Sequence, residues 1–488
     1  MAPADTQEAR AGAAIRWSVS GRLAVQAIRL GFGVAVARLL SPREFGLLAL
    51  VTVLTQFVTS VTDAGLEDAL VQRRALEERH RSSVFWLQLL VGGALAVATH
   101  LAAPAVARFY AVAEVQPLVE VLAILFVLRA VGSVPRALLV RRLAFRRLIA
   151  IEAGATAAAG VAGVGLAAGG AGVASLVAQL LTAAALESAL LWRAGGWRPT
   201  FVLRTDALGE LFGFGVYRIA TRTLGYWGQH ADKLLVGKLL GVGPLGLYER
   251  AYALTRFPVL WVARAAARAA FPSLAGIQDE TARVRALYLR TTAAVALVTF
   301  PLCLGLVAAA EPLVTGLLGP QWRAAVPLVR ILAVASLVQS VATLTGSLYL
   351  AQGRTDLHFR MNVLQNVAMI AAVAVGGRWG TVGVAAGHTV ATVVTALPTL
   401  WIAGRLVGSP LRSLAAHLGP VLLASATMTL AVLGLDAAAG GRVAALPLLA
   451  GEVAAGAAAY LAALQLFRVE SFGDVLRALR RPARADGG

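Results

Sequence analysis

The chain has 488 residues, of which 58% are hydrophobic and only 14% are charged, with a mean hydropathy of +0.75. Soluble globular proteins run near half apolar and a quarter charged, so this composition excludes a soluble body and specifies an integral membrane protein. The formal charge of +19 would suit a nucleic-acid binder, but the basic residues sit in short clusters between apolar segments, a pattern of membrane topology that leaves no nucleic-acid partner to expect.

The N-terminus, MAPADTQEARAGAAIRWSVSGRL, lacks a compact apolar core followed by a small-residue cleavage site, so no removable signal peptide is expected. A helix crossing the hydrocarbon needs about 20 apolar residues. Apolar runs broken by charge, Gly and Pro predict fourteen spans, centred in 14–38, 45–66, 83–102, 115–138, 149–168, 172–192, 209–232, 245–270, 291–310, 325–350, 360–377, 381–403, 414–435 and 444–467. The expected fold is an all-α integral membrane protein with two pseudo-symmetric six-helix lobes, residues 1–205 and 206–404. Residues 405–488 add two further helices and a basic tail.

The basic residues test this count. Segments on one side of the predicted spans carry 25 of them and the alternate segments carry 7, so the positive-inside rule predicts an even number of spans with both termini cytoplasmic. An internal repeat points the same way. VARLLSPREFGL at 36–47 aligns without gaps with VGKLLGVGPLGL at 236–247: Val36, Leu39, Leu40, Gly46 and Leu47 recur 200 residues on, Arg38 becomes Lys238, and upstream Arg22 recurs as Arg222. An offset of six spans keeps the orientation, which is a parallel repeat of the kind found in transporters that rock two bundles about a midplane site. Only two of the 44 basic residues are lysines, Lys233 and Lys238, and both follow Asp232 at the turn into the eighth span. That turn is equivalent to the one between spans one and two, so these three charges are expected at the outer mouth between the bundles.

Several spans carry charge that hydrocarbon disfavours. An arginine at a span centre costs on the order of 2.5–3.5 kcal/mol on insertion scales, so it normally faces a bundle interior or a watery cavity. Arg22 and Arg29 in the first span are seven residues apart, on one helical face and about 10 Å apart along the axis. In the seventh span Arg218, Arg222, Gln229 and Asp232 form one polar stripe, and in the eighth Arg250, Arg264 and Arg268 share a face, with Pro258 placed to kink the helix. Arg16, Arg218 and Arg268 are near enough to span ends to snorkel to headgroups. Arg22, Arg29, Arg222 and Arg264 lie deeper and point to a cationic cavity, suited to a phosphate-linked lipid held by bidentate guanidinium contacts. Among the acids, Asp63 and Glu67 sit one turn apart near the end of span two, followed by Asp68, and Glu152 and Glu187 lie in spans five and six. Salt bridges to nearby arginines and a proton or cation relay are both open to them.

Other chemistry finds no motif. The six histidines are scattered without metal-ligand spacing, and the single cysteine, Cys303, excludes an internal disulfide. The glycine-rich GVAGVGLAAGGAG at 160–172 follows no strand and reads as a helix-packing seam. No cofactor is expected, and without a Walker loop the energy should come from an ion gradient, the membrane potential or consumption of product.

The runs ARLLSPREFGLLALV at 37–51, HADKLLVGKLLGVGPLGLYERAYAL at 230–254, FPSLAGIQDE at 271–280 and LLGPQWRAAVPLVRILAV at 317–334 resemble the Wzx-type polysaccharide exporters. These belong to the multidrug, oligosaccharidyl-lipid and polysaccharide flippase superfamily. His230 departs from the small polar residue expected before Ala-Asp-Lys. The resemblance implies a transporter, not an enzyme, in the bacterial cytoplasmic membrane. It would move a polyprenyl-diphosphate-linked oligosaccharide, undecaprenyl-pyrophosphate its carrier, to the periplasmic leaflet by alternating access. By position Arg22, Arg222 and Arg264 would be counterparts of that superfamily's cationic cavity, and with Arg29, Arg218 and Arg250 of the same stripes they are the residues expected to hold the pyrophosphate. Membrane lipids, a polysaccharide polymerase and chain-length machinery are the implied partners. Two rivals are a cation-coupled multidrug exporter of the same fold, which calls for a carboxylate-lined cavity, and a membrane polysaccharide polymerase or ligase, which calls for large external loops.

Overall fold

Hydrocarbon offers no water to backbone N–H and C=O groups, so a chain of this composition must satisfy them within helices. The computed structural model describes residues 4–62, 66–73, 76–204, 230–469 and 472–473, and among these no strand occurs. The helices are α1 Ala4–Leu39, α2 Pro42–Thr62, α3 Leu66–Gln72, α4 Glu78–Tyr110, α5 Val115–Leu122, α6 Ile124–Arg141, α7 Phe145–Ala168 and α8 Val173–Gly195. After α9 (230–240) come α10 Val242–Ala275, α11 Thr281–Ala308, α12 Ala310–Leu313, α13 Val326–Ala351, α14 Thr355–Gly376, α15 Gly380–Leu406, α16 Leu411–Ala439 and α17 Ala445–Leu466. A π turn, Val314–Leu318, and a 3₁₀ turn, Pro320–Ala325, join α12 to α13.

Nine stretches among the described residues are long and apolar enough to cross a membrane. A helix stands at every predicted span except the seventh, most of which lies outside the described residues. α1, α2 and α10 are not among the nine stretches. Arg22 and Arg29 dilute the apolar run of α1, and Arg250, Arg256, Arg264 and Arg268 that of α10.

The chain forms two compact units, Met1–Gly246 and Leu247–Gly488. In the first, α4 packs on α6, α6 on α8 and α7 on α8; in the second, α11 packs on α13, α13 on α15 and α14 on α15. The same pairing order recurs six spans later, as the sequence repeat requires. In the first unit α1 and α7 run parallel, since Gly21 meets Ile149 and Phe32 meets Gly160 further along both helices. Gly163 abuts Gln179 of α8, so the glycine-rich run is a packing seam for two neighbours. In the second unit the Tyr288 hydroxyl meets Thr345 Oγ1 at 2.9 Å and Thr299 donates to Ser340 at 3.0 Å, tying α11 to α13. α16 and α17 pack on each other, and α16 also packs on α11.

The first helix break is specified locally. Ser41 and Glu44 form a reciprocal cap, the Ser41 N–H donating to Glu44 Oε2 at 2.6 Å and the Glu44 N–H to Ser41 Oγ at 3.5 Å, with Pro42 at the first helical position. α2 then approaches the start of α10 so closely that side chains are excluded. A Cβ on Gly46 would lie 1.8 Å from the Val242 carbonyl oxygen, and one on Gly246 would lie 1.8 Å from that of Pro42. Residues 42 and 242, like 46 and 246, are repeat partners, so the contact is reciprocal. Gly246→Ala is expected to lower the melting temperature of the purified protein by the equivalent of about 1–3 kcal/mol of overpacking, because backbone must move. Gly243→Ala, where a Cβ meets nothing within 4 Å, is the control and should change it little.

Candidate functional site

In the first unit the arginines predicted on α1 are both exposed along one face. Arg29 is ten residues from the end of α1 at Leu39, about 15 Å of helix rise, and therefore deep in the span. Its guanidinium lies 3.5 Å from Glu152 of α7, with the two side chains 59% and 37% exposed. An exposed ion pair at this depth cannot face lipid tails, because an ionised group in hydrocarbon is strongly disfavoured. The α1–α7 face bearing Arg22, Arg29 and Glu152 therefore has to line water or a polar ligand. Glu187, the other acid of these spans, pairs with Arg136 across the α6–α8 contact. Beside it, Ser133 donates to Gln88 and couples α6 to α4.

A second group of charges gathers where α1 turns into α2. Lys238, exposed near the end of α9, donates to the Phe109 carbonyl at the end of α4, and its ammonium lies 4.7 Å from the Phe109 ring centroid. Arg43, in the first turn of α2, donates to Glu114 at 2.6 Å. Asp232 and Lys233 sit earlier on α9 and are 3% and 8% exposed; the Lys233 N–H donates to Asp232 Oδ1 at 2.9 Å. Lys238 thus marks the helix end, while Asp232 and Lys233 are packed more than a turn below it. Neither Arg43 with Glu114 nor the reciprocal glycines were singled out as functional from sequence, although Gly46 and Gly246 were visible as repeat matches.

In the second unit α10 carries the predicted Arg250, half-buried, and Arg264, exposed, fourteen residues apart, about 21 Å along the helix. They share a face but not a single contact point. Glu249 adjoins Arg250 along the helix, and on the opposite side of α10 stands an aromatic group: Tyr248 Oη lies 3.2 Å from His388 Nδ1, and Tyr252 meets the His388 ring edge-on at 5.7 Å. The Arg256 guanidinium lies 4.9 Å from the Tyr252 ring centroid. Glu67 is half-buried on α3. Arg218, Arg222 and Asp63 lie outside the described residues. No group of three or more His, Cys, Asp or Glu side chains able to hold a metal occurs among the described residues.

A helical membrane protein with a repeated helix-pairing order and guanidinium groups on deep exposed faces has the build of a transporter. Residues 35–327 match the family model described as polysaccharide biosynthesis protein, and the chain belongs to that family. It is 29% identical to the teichuronic acid biosynthesis protein TuaB of Bacillus subtilis (strain 168), over 82% of this chain and 83% of that one. It is 25% identical to the lipopolysaccharide biosynthesis protein WzxC of Escherichia coli (strain K12), over 79% of each. Among solved structures, the lipid II flippase MurJ in its inward closed conformation superposes with a TM-score of 0.73, covering 94% of this chain and all of that one. At 11% identity that likeness speaks for the fold alone. The resemblance to Wzx-type exporters holds in both sequence and architecture.

Glu114 lies between α4 and α5, and its carboxyl is held below the usual carboxylate range, first by a hydrogen bond from its own backbone amide and then by Arg43. A lowered carboxylate contributes stability above the unfolded value of about 4.3 and loses it as pH falls through its own lower value. Arg43→Ala is expected to move the Glu114 titration, followed by carbon NMR of the labelled protein in detergent, back towards the ordinary range. The accompanying stability change should be small, since exposed pairs contribute about 0–1 kcal/mol.

Proposed function

We propose that this protein is a flippase that carries a polyprenyl-diphosphate-linked oligosaccharide from the cytoplasmic to the periplasmic leaflet of the bacterial inner membrane, for surface-polysaccharide assembly. The observation that carries the reading is the deep, exposed cationic face of α1, where Arg22 and Arg29 stand without lipid-compatible cover. A diphosphate is a doubly anionic group whose oxygens match guanidinium donors, and such contacts strengthen where water is scarce. The lipid tail stays in the bilayer while the polar head passes along the charged face. Transport proceeds by alternating access, with both termini cytoplasmic, and the chemistry needed is binding and release without a catalytic step. Family membership and the likeness to the teichuronic acid protein TuaB and the lipopolysaccharide protein WzxC support a substrate from polysaccharide biosynthesis.

On this reading Glu152 orients Arg29 and moderates its charge, so that the diphosphate is released after each crossing. On the same reading Arg218, Arg222, Arg250 and Arg264 are further candidates to meet the diphosphate. The multidrug-exporter alternative calls for a carboxylate-lined cavity, whereas the exposed face of α1 and α7 carries Arg22 and Arg29 against the single acid Glu152, which Arg29 engages.

Arg22→Ala with Arg29→Ala is expected to abolish polysaccharide export in complemented cells while leaving membrane insertion and protein level intact. In proteoliposomes the same variant should lose transfer of a sugar-diphosphate-polyprenol between leaflets by at least tenfold. Wild-type export by the double variant would remove this site from consideration. The exchange Arg29→Glu with Glu152→Arg tests the pair: the swapped protein should regain stability but not full transport, because the cation has moved to the other helix.

A further inference from the structure

The ionisable groups of α16 and α17 take no part in the reading above. Glu452 is the eighth residue of α17, about 10 Å from its start, and is 1% exposed. Neither carboxylate oxygen has a hydrogen-bond partner. Its surroundings are apolar. Leu449 packs against Ala308, Ala309 and Val432, and Gly456 lies against Val432 and Met428. Asp436, one turn before the end of α16, is half-buried and its negative charge acts on Glu452.

A buried carboxylate with neither donor nor counter-charge is among the costliest arrangements in a protein, and beside a second acid it is costlier still. The group has to be discharged by something bound. A metal cation needs several oxygen ligands, whereas no donor or acceptor lies within hydrogen-bond range of either Glu452 oxygen. A proton needs only the carboxylate itself. The nearby cations are engaged elsewhere: Arg323 pairs with Glu311 of α12 at 2.6 Å, and the exposed Arg442 donates to the Ala438 carbonyl at 3.1 Å. The π turn beside α17 contains no ionisable residue, the ionisable group at this end of α11 is the buried Cys303 thiol, and Arg412 and His417 lie at the opposite end of α16. On α17 itself, Tyr460 donates to the Leu297 carbonyl at 2.7 Å.

We propose that Glu452 is a proton-binding site: its carboxylate takes a proton from water that reaches it past Asp436 at the α16–α17 turn, holds it as the neutral acid, and returns it to water when the two helices part. The site belongs to the second unit alone and stands independently of the substrate. Its coupling to transport, with one proton bound and released per cycle, rests on the transporter reading.

The test uses the full chain in detergent. The folded protein holds a proton that the unfolded chain gives up above the ordinary carboxylate range, so raising the pH favours unfolding. The wild-type melting temperature should therefore fall as pH rises through neutrality, and Glu452→Gln, neutral at every pH, should lose that part of the dependence. Asp436→Asn keeps the site but removes its charged neighbour, and should retain the dependence with a displaced midpoint. Infrared difference spectra should show a protonated-carboxyl band in the wild type and in Asp436→Asn that is missing in Glu452→Gln. An unchanged pH profile or an unchanged band in Glu452→Gln overturns the proton site. If the band is lost but polysaccharide export by Glu452→Gln runs at the wild-type rate at every external pH, the coupling is overturned and the site stands. Loss of export in the arginine variants is scored separately, so the two readings fail independently.

Discussion

Hydrocarbon supplies neither hydrogen-bond partners nor counterions, so every polar group placed inside a span must find one from the protein or face water. Hydroxyl side chains of the spans answer by bonding back to the preceding turn: Thr292 donates to the Tyr288 carbonyl, Thr392 to that of His388 and Thr395 to that of Ala391. Charged groups answer across helices, as Arg136 does with Glu187. The groups that lack an answer are then the informative ones. Arg22 is exposed at depth, and the buried Glu452 carboxylate has no hydrogen-bond partner.

The same solvent explains how the helices are held. Apolar tails compete evenly with apolar side chains, so association relies on close approach of backbones at small residues. Gly160 and Gly163 let α7 meet α1 and α8, Gly92 lets α4 meet α6, and Gly376, Gly383 and Gly387 let α14 meet α15. The most demanding approach is the reciprocal one between Gly46 and Gly246, where the carbonyls of Pro42 and Val242 occupy the space of both missing side chains. Conservation of this step through the internal repeat follows from geometry: if one copy acquired a side chain, the symmetric contact of the other would open with it. Polar contacts lie near this approach, Arg43 to Glu114 and Lys238 to Phe109.

The charge distribution divides labour between the units. In the first, Arg29 on α1 is paired with Glu152 while Arg22 is exposed on the same face. In the second, Arg250 is half-buried beside Glu249, while Arg264 is exposed on the same helix. Two acids, Asp436 and Glu452, lie in the helices that follow the second repeat.

Hydropathy was sufficient to determine membrane residence and the positions of the described spans, and four runs of sequence carried the family resemblance. These depend on local composition and on spacing along the chain, and lipid enforces both. The stripe of Arg22 and Arg29 followed from helical periodicity alone. Which acids would be consumed by arginines did not, because Arg29 meets Glu152, and Arg136 meets Glu187, only once α1 lies parallel to α7 and α6 to α8. Asp232 and Lys233 illustrate the same limit: adjacent to Lys238 in a charged run, they are buried on the inner turns of α9 while Lys238 reaches the end of α4. Glu452 was a single acid in an apolar run, and nothing in its neighbours along the chain says whether an arginine comes to meet it. Only the packing of α16, α11 and the π turn around α17 decided that none does, because partnership inside a membrane is set by which helices touch and not by which residues are close in sequence.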